Sequence, residues 1–245
     1  MKNHYFKIII FMSMTILLPA KVSVLNYEAT FGVFGKVGSI HNTLTQNNKK
    51  YTIDTKVTLL GVAKMLLKGQ EEHYVSKGHI ENGLMVSDFY EMTTVKGSKK
   101  KVKTYLFNHK KKLVTKRYRK WKEGKLVKDK TETLKFYAKD DLLTLYFNLN
   151  TALYKKNKKY LFKVVGLEKQ NGKVHITVPS DKTVKWYKQN LGEGAKLYAK
   201  ALIHQRNFKK KKGDILLAIG KDGFIQKSVI KDILLYGDAV LTRVE

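Results

Sequence analysis

The stretch Tyr51-Thr52-Ile53-Asp54-Thr55-Lys56-Val57-Thr58-Leu59 decides the fold class. Tyr51, Ile53, Thr55, Val57 and Leu59 fall on one face, and Thr52, Asp54, Lys56 and Thr58 on the other. That is the period of two expected of a strand with one buried face. The same alternation returns further along. Tyr160, Phe162 and Val164 alternate with Leu161, Lys163 and Val165, and Val174, Ile176 and Val178 with His175 and Thr177. Leu197, Ala199, Ala201 and Ile203 alternate with Tyr198, Lys200 and Leu202. Turn-forming clusters separate the runs at Gln46-Asn47-Asn48, Glu81-Asn82-Gly83, Asn108-His109-Lys110, Gln170-Asn171-Gly172 and Lys221-Asp222-Gly223. The spacing predicts an antiparallel meander of roughly ten to twelve strands.

Three stretches break the alternation. Gly61 to Leu67 reads as one or two helical turns. Asp140 to Tyr154 reads as the main helix, with Leu142, Leu145, Tyr146, Leu149, Ala152 and Leu153 forming an apolar stripe. Asp140 or Asp141 can cap its N-terminus and suits the helix dipole there. A third helix, capped by Ser180, carries Val184, Trp186 and Tyr187. Residues 120–135 read as the most loop-like part. The expected fold is mainly β: a large curved antiparallel sheet, a half-barrel or open barrel, with the main helix across its concave face and short helical turns elsewhere.

The start of the chain has a different character. Lys2 and Lys7 precede an apolar run, Ile8 to Leu18, followed by Pro19 and Ala20. A basic start, a short apolar stretch and small residues near a cut are the order of a secretory signal. The run is about 11 residues, against roughly 20 for a spanning helix. Residues 1–24 are therefore expected to be a signal peptide, with cleavage candidates at Ala20, Val22 and Ser23 and a retained N-terminal anchor as the alternative. Residues 25–245 are expected to form a single β-rich domain, since no repeat or Pro/Gly/Ser linker divides them.

Composition narrows the function classes. The 245 residues include no cysteine, which excludes a thiolate zinc site, a thiol nucleophile and an iron–sulfur cluster. Lys and Arg number 49 against 20 Asp and Glu, and only Arg117, Arg119, Arg206 and Arg243 are arginines. Phosphate and base recognition favours the planar arginine fork, so this lysine excess does not point to nucleic acid. The charge concentrates between Lys96 and Lys135, with 17 basic residues and three acids, and Tyr105, Phe107, Tyr118 and Trp121 are interleaved. Lysines Lys99, Lys100, Lys101, Lys110, Lys111 and Lys112 are the expected basic surface, either a solvated face that blocks edge pairing or a docking face for anionic headgroups or envelope polymers.

Motifs for chemistry are sparse. Gly32, Gly35 and Gly38 give G-x-x-G-x-x-G, which is not the dinucleotide fingerprint; strand pattern surrounds it, so bulges or close backbone packing are expected. His73 and His79 share a strand face but lie about 20 Å apart along it, too far to share one ion. His41, His109, His175 and His204 show no ligand spacing, so no metal and no cofactor are expected. Asp140 and Asp141 are read as helix caps rather than an acid/base pair, and there is no G-x-S-x-G elbow.

From Leu25 onward the chain resembles an exported bacterial family, domain of unknown function 3108. The resemblance rests on Leu25-Asn26-Tyr27-Glu28-Ala29 with Gly32, Gly35 and Gly38, and on the Tyr51 strand and the Gly61–Leu67 turn. It continues in Ser76…Asn82-Gly83-Leu84, Asp141-Leu142-Leu143-Thr144-Leu145-Tyr146, Asp222-Gly223-Phe224, Gly237 and Leu241-Thr242. Where that family often has proline, this chain has Val86 and Gln226. The resemblance implies a β-rich periplasmic protein without an established activity, similar in architecture to half-barrel lipoprotein carriers; fold-level likeness carries function poorly. The expected function is non-enzymatic: an exported envelope protein binding an apolar ligand or a lipidated partner on the concave sheet face. Tyr51, Ile53, Leu59, Phe162, Val164, Leu145 and Leu149 are the expected pocket residues. The alternatives are a structural or adaptor protein of the envelope with a basic docking face, and a hydrolase of an envelope polymer.

Overall fold

The computed structural model describes residues 19–167, 169–203, 213–233 and 237–244. The apolar run of the expected signal lies outside them. Eight strands run in sequence: β1 (Lys21–Phe31), β2 (Lys36–Gln46), β3 (Lys50–Leu59), β4 (Glu71–Glu81), β5 (Leu84–Lys96), β6 (Lys99–Asn108), β7 (Leu113–Lys122) and β8 (Lys125–Thr133). A two-residue strand, β9 (Asp140–Asp141), leads into helix α2 (Leu142–Ala152). Then come β10 (Lys158–Val165), β11 (Lys173–Val178), β12 (Leu197–Ile203), β13 (Gly213–Ile219), β14 (Ile225–Ile233) and β15 (Gly237–Val244). Helices α1 (Gly61–Leu66) and α3 (Val184–Leu191) fill the connections after β3 and β11.

The fifteen strands of the described residues belong to one open sheet, in the order β8-β7-β6-β5-β4-β3-β2-β1-β15-β14-β13-β12-β11-β10-β9. The first and last long strands meet in its middle, with Asn26 opposite Val244 and Phe31 opposite Ala239. Apart from the parallel β9–β10 pair, the pairings are antiparallel.

The sheet curls around α2. On one side Leu145, Leu149 and Leu153 pack on Val164, Val174, Ile176, Ala199, Leu217 and Ile219. On the other, Phe147 joins Leu25, Tyr27, Leu44, Tyr51, Ile53 and Met85. The helix is therefore buried around most of its circumference, and the single apolar stripe expected from sequence is only half of its contact surface. Thr144 and Asn148, off that stripe, are buried too.

α3 covers the opposite face of β12–β14, where Tyr187 and Leu191 pack on Tyr198, Leu216, Ala218 and Val229. β13 sends Leu217 and Ile219 toward α2 and Leu216 and Ala218 toward α3, so it is apolar on both faces and its alternation is faint. α3 begins at Val184 with Thr183 in the capping position, not Ser180 as expected. The Ser180 carbonyl instead accepts from the Thr183 and Val184 N–H groups, so a turn precedes the helix. In the glycine cluster, a Cβ on Gly38 would lie 2.7 Å from the Thr58 carbonyl, and the β1–β2 register shifts between Ala29 and Thr30. Close approach and a bulge explain it.

Most of residues 120–135 is not loop: Lys120 to Lys122 end β7, a two-residue turn follows, and Lys125 to Thr133 form β8. From Lys125 to Thr131 one β8 residue after another is solvent-exposed. An edge strand wet on both faces loses the period-two signal that sequence reading depends on.

The outer part of the sheet, β6 to β8, projects beyond the curl as a flap. Its register with β5 covers Phe89 to Lys96 only. The rest of β5, Leu84 to Asp88, has its outer edge met by other groups. Asn148 of α2 clasps Met85, accepting from its N–H at 3.0 Å and donating to its carbonyl at 2.8 Å. The Ser87 N–H donates to the Lys139 carbonyl at 3.1 Å. The curl is thus pinned at β5 by a helix side chain and the approach to β9, and the sheet stays open. Among the described residues no helix is long and apolar enough to cross a membrane.

Candidate functional site

The seam at β5 is also where polar chemistry gathers. Its origin is Gly78. A Cβ at this position would sit 1.9 Å from the Val86 carbonyl and 2.8 Å from the Tyr51 ring, so only glycine fits. The β4–β5 register slips there: Lys77 faces Phe89 and Gly78 faces Ser87, leaving Asp88 as the extra residue. A bulge of this kind re-aims the side chains around it. Ser87 points into the protein and Asp88 out of it.

Inside, Asp141 is fully buried. Its Oδ1 caps α2 by accepting from the Thr144 N–H at 2.9 Å. Its Oδ2 accepts from the hydroxyls of Ser76 at 2.6 Å, Ser87 at 2.8 Å and Thr144 at 2.9 Å. The Tyr51 hydroxyl closes the knot over Ser76, Ser87 and Thr144. Desolvation raises the Asp141 pKa, and these donors oppose it. Desolvation and the neighbouring Asp141 raise Tyr51 well above the ordinary phenol range. Shut away from solvent and saturated with donors, Asp141 orients α2 against β4 and β5 rather than serving a substrate. Asp140, next to it, is pushed up to about 7, first by burial and then by the Asp141 charge. Its Oδ1 is buried without a hydrogen-bond partner among the described residues.

Outside, Asp88 lies between two imidazoles. His79 of β4 presents Nδ1 at 3.0 Å from both carboxylate oxygens. His109, in the β6–β7 turn, presents Nε2 at 3.3 Å from Asp88 Oδ1 and 2.9 Å from the Ser87 carbonyl. The other ring nitrogen of His109 is 2.8 Å from the Tyr137 hydroxyl, and its ring stacks on Phe107. The two imidazole rings meet edge to face at 5.5 Å. His73, too far along the strand to share an ion with His79, bonds Asp54. Asp88 and His109 arrive through strand register and a hairpin turn, and Gly78 beside His79 is the one local sign of the bulge that assembles them.

The expected pocket residues are distributed as follows. Tyr51, Ile53, Leu145, Leu149 and Val164 are buried, and Leu59 and Phe162 are half-buried. Leu145, Leu149, Val164 and Phe162 lie on one packing surface of α2 and Tyr51 and Ile53 on the other, Leu59 belongs to neither, and Phe162 stacks on Tyr160. Three open hollows on the surface, of about 620, 440 and 590 Å³, are lined by other residues. Lys99, Lys100, Lys101, Lys110, Lys111 and Lys112 are all exposed. They form two groups at opposite ends of β6, with Lys101 and Lys110 roughly 30 Å apart along the strand.

Residues 26–239 match the model of a protein family described as a protein of unknown function, DUF3108. The chain belongs to this family. Like a member of it, the protein is similar in fold to a solved β-barrel-like protein, domain of unknown function DUF1849, from Brucella abortus. The two share 8% identity at a TM-score of 0.51, over 93% of this chain and 97% of that one. No curated protein matches this DUF3108 chain.

Proposed function

We propose that this DUF3108 protein is an exported, non-enzymatic adaptor of the cell envelope that docks on anionic surfaces through the β6–β8 flap. The observation that carries the reading is the flap tip. There the β5–β6 and β7–β8 turns lie side by side, joined by the Glu123 N–H donating to the Ser98 carbonyl at 2.9 Å. Between them a shallow hollow of about 440 Å³ is lined by Lys99, Lys100, Gly97, Gly124 and Trp121. Lys100 Nζ stands 5.7 Å, and the Arg119 guanidinium 5.4 Å, from the centre of the Trp121 ring. An amphipathic aromatic among cations suits the headgroup layer of an anionic membrane. The close packing of Leu145, Leu149, Ile53 and Val164 around α2 supports the adaptor reading over a binding cleft at that point. Export rests on the basic and apolar start of the sequence. Because Lys21 to Val24 already pair with Thr43 to Gln46, cleavage after Ala20 keeps β1 whole.

The test is sedimentation with anionic vesicles across a salt series, comparing wild type with a variant carrying glutamine at Lys99, Lys100 and Lys101. Binding of wild type at low salt, weakened by the substitutions and by salt, supports the proposal. Failure of wild type to bind at low salt overturns it.

A second reading, capture of an apolar ligand or a lipidated partner, is favoured by a different hollow. It measures about 620 Å³ where β1, β15 and the β13–β14 turn meet, and Val24, Leu25, Phe224 and Val244 contribute apolar walls. Val24 is 53% and Val244 38% exposed. Saturable uptake of a fluorescent fatty-acyl probe, abolished by Val24→Lys, would establish it. Uptake unchanged in that variant would place the ligand elsewhere.

A further inference from the structure

We propose that His79, Asp88 and His109 form a binding site for a divalent transition cation of the zinc type. One ligating atom from each of the three residues lies within 4.8 Å of the other two, and Asp88 Oδ1 faces both His79 Nδ1 and His109 Nε2. Donors at about 2.0–2.1 Å from a tetrahedral zinc are roughly 3.3 Å apart. The two nitrogen–carboxylate separations, 3.0 and 3.3 Å, already match that spacing, so an ion can enter with side-chain adjustment alone. Two imidazoles and one carboxylate select a borderline cation such as Zn²⁺ over Ca²⁺ or Mg²⁺, which prefer sets made of oxygens. Three protein donors leave one tetrahedral position for solvent.

The surroundings fit the same role. Metal-bound imidazoles depend on a partner at the second nitrogen to fix their tautomer and orientation. In the metal-free site the carbonyl of Ser87 can only accept, so His109 carries its proton on Nε2 and takes the Tyr137 hydroxyl proton at Nδ1. With a cation on Nε2, the proton moves to Nδ1 and the Tyr137 oxygen accepts it. Tyr137 serves both states, and Phe107 stacked on the ring holds its plane. His79 is carried by a strand, and Asp88 is turned toward it by the bulge that Gly78 enforces, so both donors come from the sheet itself. His109 comes from the root of the flap. A bound cation would therefore tie the flap to the curled sheet.

The test uses the untagged full chain, stripped with a chelator and titrated with Zn²⁺ by calorimetry. One equivalent is expected. His79→Asn and His109→Asn should each weaken binding by at least tenfold, and Tyr137→Phe by several-fold with unchanged stoichiometry. His73→Asn, which alters only the separate Asp54 pair, should have no effect. A companion measurement on wild type does not depend on folding of the variants: Zn²⁺ should shift the ring resonances of His79 and His109 and leave those of His41, His73 and His175 in place. No binding at millimolar Zn²⁺, undiminished binding in both His79→Asn and His109→Asn, or shifts confined to other histidines would overturn the proposal.

Discussion

In the curled part of the sheet, strands bury Ile53, Val164, Leu217 and Ile219 against a helix. In the flap, β6 to β8 use the same antiparallel pairing yet have Lys99 to Lys101 and most of β8 in solvent. Besides Val102, the buried side chains of the flap lie at its root, where Tyr105 and Val114 meet Tyr90, Ala138 and Val165. Pairing alone thus makes a strand in either setting, and the layer beneath it decides whether the strand stores stability or displays charge. Removing core contacts should unfold the molecule, and neutralising the flap should leave it folded and alter what it touches.

The largest effect is expected from Leu145→Asp, which buries a charge between α2 and β10–β13. It should cost about 5 kcal/mol or more, comparable with the whole stability of an ordinary domain. Denaturant unfolding measures this; a normal midpoint would mean α2 is not the pillar of the curl. Next is Asn148→Ala. It leaves the Met85 N–H and carbonyl without partners, and an unsatisfied buried group costs about 1–3 kcal/mol. Hydrogen exchange should speed up first at Met85 and Ser87 and only later in the flap.

A smaller effect concerns pH. The Asp140 pKa, about 7 in the folded chain, lies above its unfolded value near 4, so the folded state holds the extra proton between these limits. Stability from this group is full below about pH 4 and is lost as pH rises through 7. Asp140→Asn should flatten that slope and raise stability at pH 8 by about 2 kcal/mol, less than the full shift because the group is partly solvated. Melting curves at several pH values check it, and an unchanged slope would exclude Asp140 as its source. The smallest stability change, under about 0.5 kcal/mol, is expected when Lys99, Lys100, Lys101, Lys110, Lys111 and Lys112 all become glutamine. A large loss of melting temperature in that variant would erase the distinction between the two regions.

How legible these regions are in sequence follows from the same contrast. The Tyr51–Leu59 strand is wet on one face and buried on the other, so its alternation is clean, and α2 is marked by Asp141 and its leucines. β8, wet on both faces, and β13, dry on both, lack that alternation. The seam is harder still to foresee. Asn148 looks like a polar interruption in an apolar helix until Met85 is placed beside it. The Asp88 pair with His79 and His109 depends on a one-residue register slip, which no local pattern encodes. Gly78 hints at it only once its neighbours across the ladder are known.

The pairing of β1 with β15 has a consequence for how the molecule comes into being. Its central joint links the earliest strand to the latest, so each half-sheet carries a bare central edge until the final segment is delivered. Strand closures this distant in sequence are slow, on the order of milliseconds to seconds once the chain is complete. During that wait an exposed edge is a template for the wrong neighbour. The net positive charge that each half carries, in the first half concentrated in the flap, keeps separate chains apart by mutual repulsion, giving the last strand time to find the first one of its own chain.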